Sequence, residues 1–253
     1  MSSSSKGVAW VTGAGTGIGR ALAKRLAEDG WTVAASARTA RDLDDLAAEV
    51  PGRITSFQLD VTNQDACAET GRQIEESLGP VDLAVFNAGS SFPVTAENFS
   101  VANFKKTVDV NLMGEINCMG PIVPGMVARR RGHIVLMASL TGYVGMPSAA
   151  AYAATKAALI STAEAFKPDF ERFGITISVI NPGFVKTPLT DKNTFPMPFL
   201  LPVDTAVDHI MHGIEHKQFE IAFPWQTTLL TRILAALPNW AKFAVTRRML
   251  PHR

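Results

Sequence analysis

Tyr152 and Lys156 stand four residues apart in the Ala-rich run AAAYAATKAA. On a helix that spacing puts both side chains on one face, one turn apart. A free phenol has a pKa of about 10, and bringing it to about 7 takes roughly 4 kcal/mol of preferential stabilisation of the phenolate. One ammonium about 4 Å away, at an effective dielectric of about 20, supplies roughly that amount. A Tyr held beside a Lys can therefore act as an acid/base. Ser139 closes an apolar run 13 residues upstream and offers a hydroxyl for a substrate oxygen. A surface Tyr above a solvated Lys has the same spacing, so the weight of the pair depends on what precedes it.

What precedes it is a regular alternation. Short apolar runs at Gly7–Val11, Trp31–Ala37, Ile54–Leu59, Val81–Phe86, His133–Ala138 and Ile175–Ile180 read as strands. Helical spacing is found over Gly15–Gly30, Ala40–Glu49, Gln64–Leu78, Phe104–Arg131 and Ala149–Phe173. Pro121 and Pro124 are expected to bend or break the fourth helix, and Pro168 to kink the fifth. Strands that are apolar on both sides and alternate with helices predict a parallel sheet covered on both faces. With no repeat and no linker, the chain reads as one α/β domain, a doubly wound Rossmann-type sheet. Residues 6–186 form its core, residues 187–216 begin with a four-proline loop that resembles a lid, and residues 224–253 form a helical tail.

A chain of 253 residues, 47% hydrophobic, is long enough for one full core. A net charge of +1 gives no global pull toward nucleic acid. Cys67 and Cys118 have no metal or redox spacing, which suits a reducing compartment. The Ser2–Ser5 run reads as a floppy start. No apolar run has signal-peptide character or reaches the length of a membrane span, so a cytoplasmic protein is expected.

Thr12-Gly13-Ala14-Gly15-Thr16-Gly17-Ile18-Gly19 joins the first strand to the first helix. Glycines there allow a tight turn and let a pyrophosphate approach a helix N-terminus, whose amides favour anions. The spacing differs from the GxGxxG of larger dehydrogenases. This turn, Asn87-Ala88-Gly89, Asn111, Ser139, Tyr152-x-x-x-Lys156 and Pro182-Gly183 occur in the order of the short-chain dehydrogenase/reductase family, which the chain resembles over about residues 6–190. Phe86 and Ala138 depart from it, standing where the family often has Asn and Ser.

The resemblance implies a role for each matching position. Tyr152 exchanges the proton with the substrate oxygen, and Lys156 binds the nicotinamide ribose and lowers the Tyr152 pKa. Ser139 hydrogen-bonds the substrate, and Asn111 holds a water between Lys156 and solvent. Gly13, Thr16, Gly17, Ile18 and Gly19 cradle the cofactor. Asp60 and Val61 contact adenine; Asn87, Ala88 and Gly89 line the site; Val185 and Thr187, after Pro182 and Gly183, hold the carboxamide. An acid at the end of the second strand would bind the ribose 2′-hydroxyl of NAD. This chain has Ala37 there, followed by Arg38, which can pair with a 2′-phosphate. NADP is therefore the expected cofactor, with NAD the alternative. An assembly of two or four copies is also expected.

His209, His212 and His216 share a helix face, but the outer pair is about 10 Å apart by helical rise, so a polar stripe is expected and no metal. Phe195, Met197, Phe199, Leu200 and Leu201 in the lid point to an apolar carbonyl or alcohol as substrate, or to burial between subunits. Beyond Glu220 the chain has five cations and no acid. Leu229, Leu230, Ile233, Leu234 and Leu237 are expected to form one apolar helix face, and Trp240, Phe243 and Val245 a second short helix. That pattern suits either packing on protein or a peripheral anionic membrane contact. The sequence reads as an NADP-dependent carbonyl/alcohol oxidoreductase. An NAD-dependent alcohol dehydrogenase and a non-catalytic nucleotide sensor are the alternatives.

Overall fold

The structure, a computed structural model, describes residues 6–193 and 195–250. The Ser2–Ser5 run and the last cation, Arg253, lie outside them. Seven strands form one parallel sheet: β1 (Val8–Thr12), β2 (Thr32–Ala37), β3 (Ile54–Gln58), β4 (Val81–Phe86), β5 (Gly132–Met137), β6 (Ile175–Pro182) and β7 (Glu220–Phe223). Their spatial order is β3-β2-β1-β4-β5-β6-β7. Every neighbouring pair is parallel. The order reverses between β1 and β4, and a doubly wound sheet opens its ligand crevice at the carboxyl ends of the strands at such a switch point.

The sheet forms because its central strands are apolar on both faces; all five residues of β1 are buried. One face packs under α1 (Gly17–Glu28), α2 (Ala40–Glu49) and α7 (Val203–Glu215), through Leu22, Leu26, Leu43 and Ile210. The other packs under α3 (Gln64–Leu78), α5 (Gly114–Arg129) and α6 (Ala150–Glu171), through Ile74, Met126 and Leu159. Phe86, a departure from the family pattern, fills this second layer and meets Trp10 edge-on with ring centroids 5.6 Å apart. The Trp10 indole N–H donates to Ser36 Oγ at 2.9 Å, so its one polar atom is satisfied.

The expected break at Pro121 and Pro124 is not found: α5 runs through both. Tertiary packing holds it, since Pro121 lies against Gly71 of α3, where a Cβ would come within 2.6 Å of the proline ring. The irregularity falls earlier. Helix α4 (Val101–Val108) leads into a π-helical turn, Asp109–Met113, before α5 begins. Such turns recur at functional sites, and this one contains Asn111. Helix α6 continues through Pro168 and ends within a turn, at Glu171.

The tail differs from its expected face. Helix α8 (Trp225–Ala236) buries Thr228, Thr231 and Leu234, while Leu229, Leu230 and Ile233 stay more than half exposed. The two threonines satisfy their hydroxyls on helix carbonyls, Pro224 O and Thr227 O, so they can face the body. Helix α9 (Asn239–Arg247) follows, with Trp240 and Phe243 exposed. Among the described residues no helix is long and apolar enough to cross a membrane.

Candidate active site

The turn after β1 is built for close approach. Gly13 and Gly17 have φ of +66° and +58°, a region that L side chains rarely adopt. A Cβ at Gly19 would sit 2.3 Å from Gly13 O, so Gly19 serves the packing and stays out of the cavity. Thr12 Oγ1 accepts from the Asn87 and Ala88 amides at 3.0 and 3.2 Å, and Asn87 Nδ2 donates back to Thr12 O at 3.1 Å. These bonds weld the end of β4 to the turn. Thr16, the N-cap of α1, makes no side-chain capping bond. The first amides of a 12-residue helix thus remain open to an anion.

From there a cavity of about 370 Å³ runs along the carboxyl edge of the sheet. Its walls include Gly13, Thr16, Gly17 and Ile18 at one end, with Arg38, Asp60 and Val61 beside them. Asn87, Ala88 and Gly89 line the middle, and Ser139, Tyr152, Lys156, Pro182, Gly183, Val185 and Thr187 line the other end. Residues spread over 175 positions of sequence are thus brought into one crevice. A long cleft with an uncapped helix N-terminus at one end and proton-transfer groups at the other fits a dinucleotide.

Asn111 alone of the four expected catalytic residues does not line the cavity. Its Nδ2 donates to Ser90 O at 2.9 Å and to Thr155 Oγ1 at 3.3 Å, and its Oδ1 accepts from Ser90 N at 2.8 Å. The side chain thus clamps the segment after β4 to α6. Ser139 Oγ accepts from Thr141 N at 3.2 Å and lies 3.4 Å from Pro182 O. Tyr152 and Lys156 occupy one face of α6, with Nζ 5.7 Å from the phenol ring centroid. Lys156 Nζ donates to Met137 O, at the end of β5.

The Tyr152 pKa does not stand where a bare Tyr–Lys pair would put it. Burial raises it; the hydrogen bond with Ser139 lowers it, and the Glu115 carboxylate raises it again. Lys156 is lowered by burial and raised by Glu115. A salt-bridging carboxylate within 3.8 Å of the ammonium offsets the charge that the Tyr–Lys spacing alone suggests. At the other end, burial works against the Asp60 charge, but bonds from the Thr62 amide and hydroxyl, with Arg38, hold the carboxyl below its ordinary value.

Several cavity residues took no individual role from the sequence. Asp42, in the first turn of α2, reaches the wall beside Arg38, where a Cβ on Gly15 would lie 3.2 Å from the Asp42 Cβ. Ser90, Phe92, Val110, Leu189 and Thr190 also line it. Tyr143, in the loop after Ser139, donates to Glu220 Oε1, which also accepts from Asn181 Nδ2 at 3.0 Å. Arg232 of α8 pairs with the same carboxylate, tying this loop to β6, β7 and the tail. Nothing in the spacing of these four residues announces the cluster. The three histidines part company: His209 stacks on Phe223 at 5.2 Å, while His212 and His216 lie against each other.

The family model described as short chain dehydrogenase matches residues 7–196, about three quarters of the chain. The chain belongs to the short-chain dehydrogenase/reductase family. It is therefore an NAD(P)-dependent oxidoreductase with a single Rossmann-like domain. It is 37% identical over 252 residues to an uncharacterized oxidoreductase of Myxococcus xanthus, covering 98% of this chain and 100% of the other. An acetoacetyl-CoA reductase of Paracoccus denitrificans is 36% identical over 180 residues, 71% of this chain and 74% of that one. Among solved structures, a short-chain dehydrogenase from Streptomyces avermitilis superimposes with a TM-score of 0.82 at 27% identity, covering 97% of this chain and 99% of the other.

Proposed function

We propose that the enzyme interconverts a carbonyl and an alcohol on an apolar substrate, with NADP as its cofactor and Tyr152 as the acid/base. The observation that carries this reading is the convergence of Ser139, Tyr152 and Lys156 on one end of a cleft whose other end holds Arg38. When bound, the nicotinamide supplies or takes the hydride, and the protein contributes orientation and proton management. Tyr152 gives its phenolic proton to the substrate oxygen during reduction and takes it back during oxidation. Ser139 holds that oxygen, and Lys156 binds the nicotinamide ribose hydroxyls. Asn111, through its grip on Ser90 and Thr155, keeps the two walls in register. Asp60 and Val61 flank adenine, and Val185 and Thr187 hold the carboxamide.

Ala37 leaves the end of β2 without an acid, and the exposed Arg38 guanidinium beside it suits a 2′-phosphate. Asp42 supports the other reading, since a carboxylate on this wall can accept from a free ribose hydroxyl. A sensor has no need of a complete Asn111, Ser139, Tyr152 and Lys156 set, so turnover is the favoured reading.

Leu189 reaches the cavity, and Phe195, Phe199 and Leu200, farther along the same segment, are at least 39% exposed. This is an apolar cover for an apolar substrate. The test is a panel of aldehydes, ketones and alcohols of graded chain length with both cofactors. Faster turnover of medium or long apolar compounds with NADPH is expected; preference for small polar ones would remove the apolar-substrate reading.

The tail extends the reading. Trp225, Leu229, Leu230, Ile233, Trp240 and Phe243 are exposed, and Lys242, Arg247 and Arg248 are the cations beside them. Anionic lipid headgroups would complement these cations, and a second copy would cover the apolar side chains. Packing of this face on protein is one reading, and contact with an anionic membrane surface is the other. The whole chain should sediment with anionic vesicles at low salt, less so at moderate salt, and weakly with neutral ones. Lys242→Glu with Arg247→Glu should abolish the difference. A chain that ignores vesicles and dimerises would place a second copy there instead.

A further inference from the structure

Helix α5 presents a carboxylate that the mechanism above does not use. Glu115 stands one turn beyond Asn111 and is 1% exposed. Neither of its oxygens makes a hydrogen bond of ordinary geometry. A buried carboxylate without a well-formed hydrogen bond is costly and rare, so its retention calls for a cause. The nearest charge is Lys156, whose Nζ lies 3.8 Å from Glu115 Oε1, with the two side chains 3% and 1% exposed. Two helical pairs therefore face each other, Asn111 and Glu115 from one side, Tyr152 and Lys156 from the other.

We propose that Glu115 is a positioning residue for Lys156, an anionic partner that keeps the buried ammonium charged and in place. This rests on the acid/base reading of Tyr152 and Lys156 given above. An ammonium this deeply buried would shed its proton without a counter-charge. Among the described residues Lys156 otherwise has the Met137 carbonyl as acceptor. The groups facing Glu115 are few: Lys156 and Tyr152 from α6, the Met137 backbone from β5, and the Cys118 thiol on its own helix. Burial raises the Glu115 carboxyl well above its ordinary range and lowers Lys156, while each opposes the shift in the other. The titration of each group is therefore coupled to that of the other.

The sign of the effect follows. Glu115→Gln keeps the shape and removes the charge. Lys156 then loses its proton at lower pH, because the influence that raised it is gone. Tyr152 also loses its proton at lower pH, because Glu115 had raised it too. Both changes move the alkaline limb of carbonyl reduction toward acid, since that direction needs the phenol protonated and the ammonium charged.

The experiment has two parts on the full chain. Thermal melting is compared for the parent, Glu115→Gln, Lys156→Met and the double variant. Removing one partner of a buried pair leaves an uncompensated charge, so the double variant should melt above Glu115→Gln alone. Losses that simply add would overturn the proposal. The pH profile of reduction is then measured. Glu115→Gln should show its alkaline limb displaced toward acid by about one unit, about a tenfold loss at a fixed alkaline pH, with Glu115→Asp restoring part of it. A limb that does not move, or a uniform loss at all pH values, would overturn it. If Tyr152→Phe retained turnover, the acid/base reading would fall by itself. The melting cycle needs no turnover and would still decide whether Glu115 and Lys156 are paired.

Discussion

Tyr152→Phe is expected to reduce turnover by about 10²–10⁴-fold while leaving NADPH affinity nearly unchanged, the usual worth of a positioned acid/base. The substitution removes the phenolic oxygen and keeps the ring, so the wall of the cavity is preserved. Lys156→Ala should damage both turnover and binding, because that side chain is proposed to hold the ribose and lies beside the phenol. The comparison separates the two roles. Titration of NADPH fluorescence gives affinity, and initial rates give turnover. Retention of more than about a tenth of the rate in the Phe variant would end the acid/base assignment, since such catalysis is worth at least about 10²-fold.

Arg38→Asp is expected to turn cofactor preference from NADPH toward NADH. A charge-assisted contact with phosphate is worth about 1.5–3 kcal/mol, which corresponds to about a tenfold to hundredfold loss of NADPH affinity. The new carboxylate would also stand near Asp42 on the same wall, repelling a 2′-phosphate and accepting from a free hydroxyl. Ratios of kcat/KM for the two cofactors check this in parent and variant. Equal ratios in the parent would show that Asp42, already present, does as much for NAD as Arg38 does for NADP.

Most of the frame was legible because it depends on local rules. Short apolar runs alternating with helical spacing marked β1 to β6, and that spacing located α2 and α3 at Ala40–Glu49 and Gln64–Leu78, their bounds in the structure. The Gly13–Gly19 turn announced its backbone geometry through residue type alone. What escaped depends on contacts between distant segments. Pro121 argues for a broken helix until Gly71 is seen beneath it. The buried side of α8 was not legible because its leucines and isoleucine suggest the packed face, while bonds to helix carbonyls let Thr228 and Thr231 be buried instead. Cys67 and Cys118 lie 51 residues apart with no motif between them, yet their sulfurs meet at 3.6 Å where α3 crosses α5. Asp42 and Glu115 reach the site from helix positions that carry no recognisable pattern. The role of Glu115 depends on which lysine the fold puts opposite it.

The central claim is that this cleft turns over a carbonyl with a nicotinamide cofactor. The most direct measurement is the absorbance of NADPH incubated with the purified chain and a series of aldehydes and ketones, with NADH in parallel. The account expects oxidation that requires the carbonyl, is faster with NADPH than with NADH, and is lost in Tyr152→Phe. NADPH that binds tightly but is not oxidised by any carbonyl, or oxidation that persists in Tyr152→Phe, would contradict it.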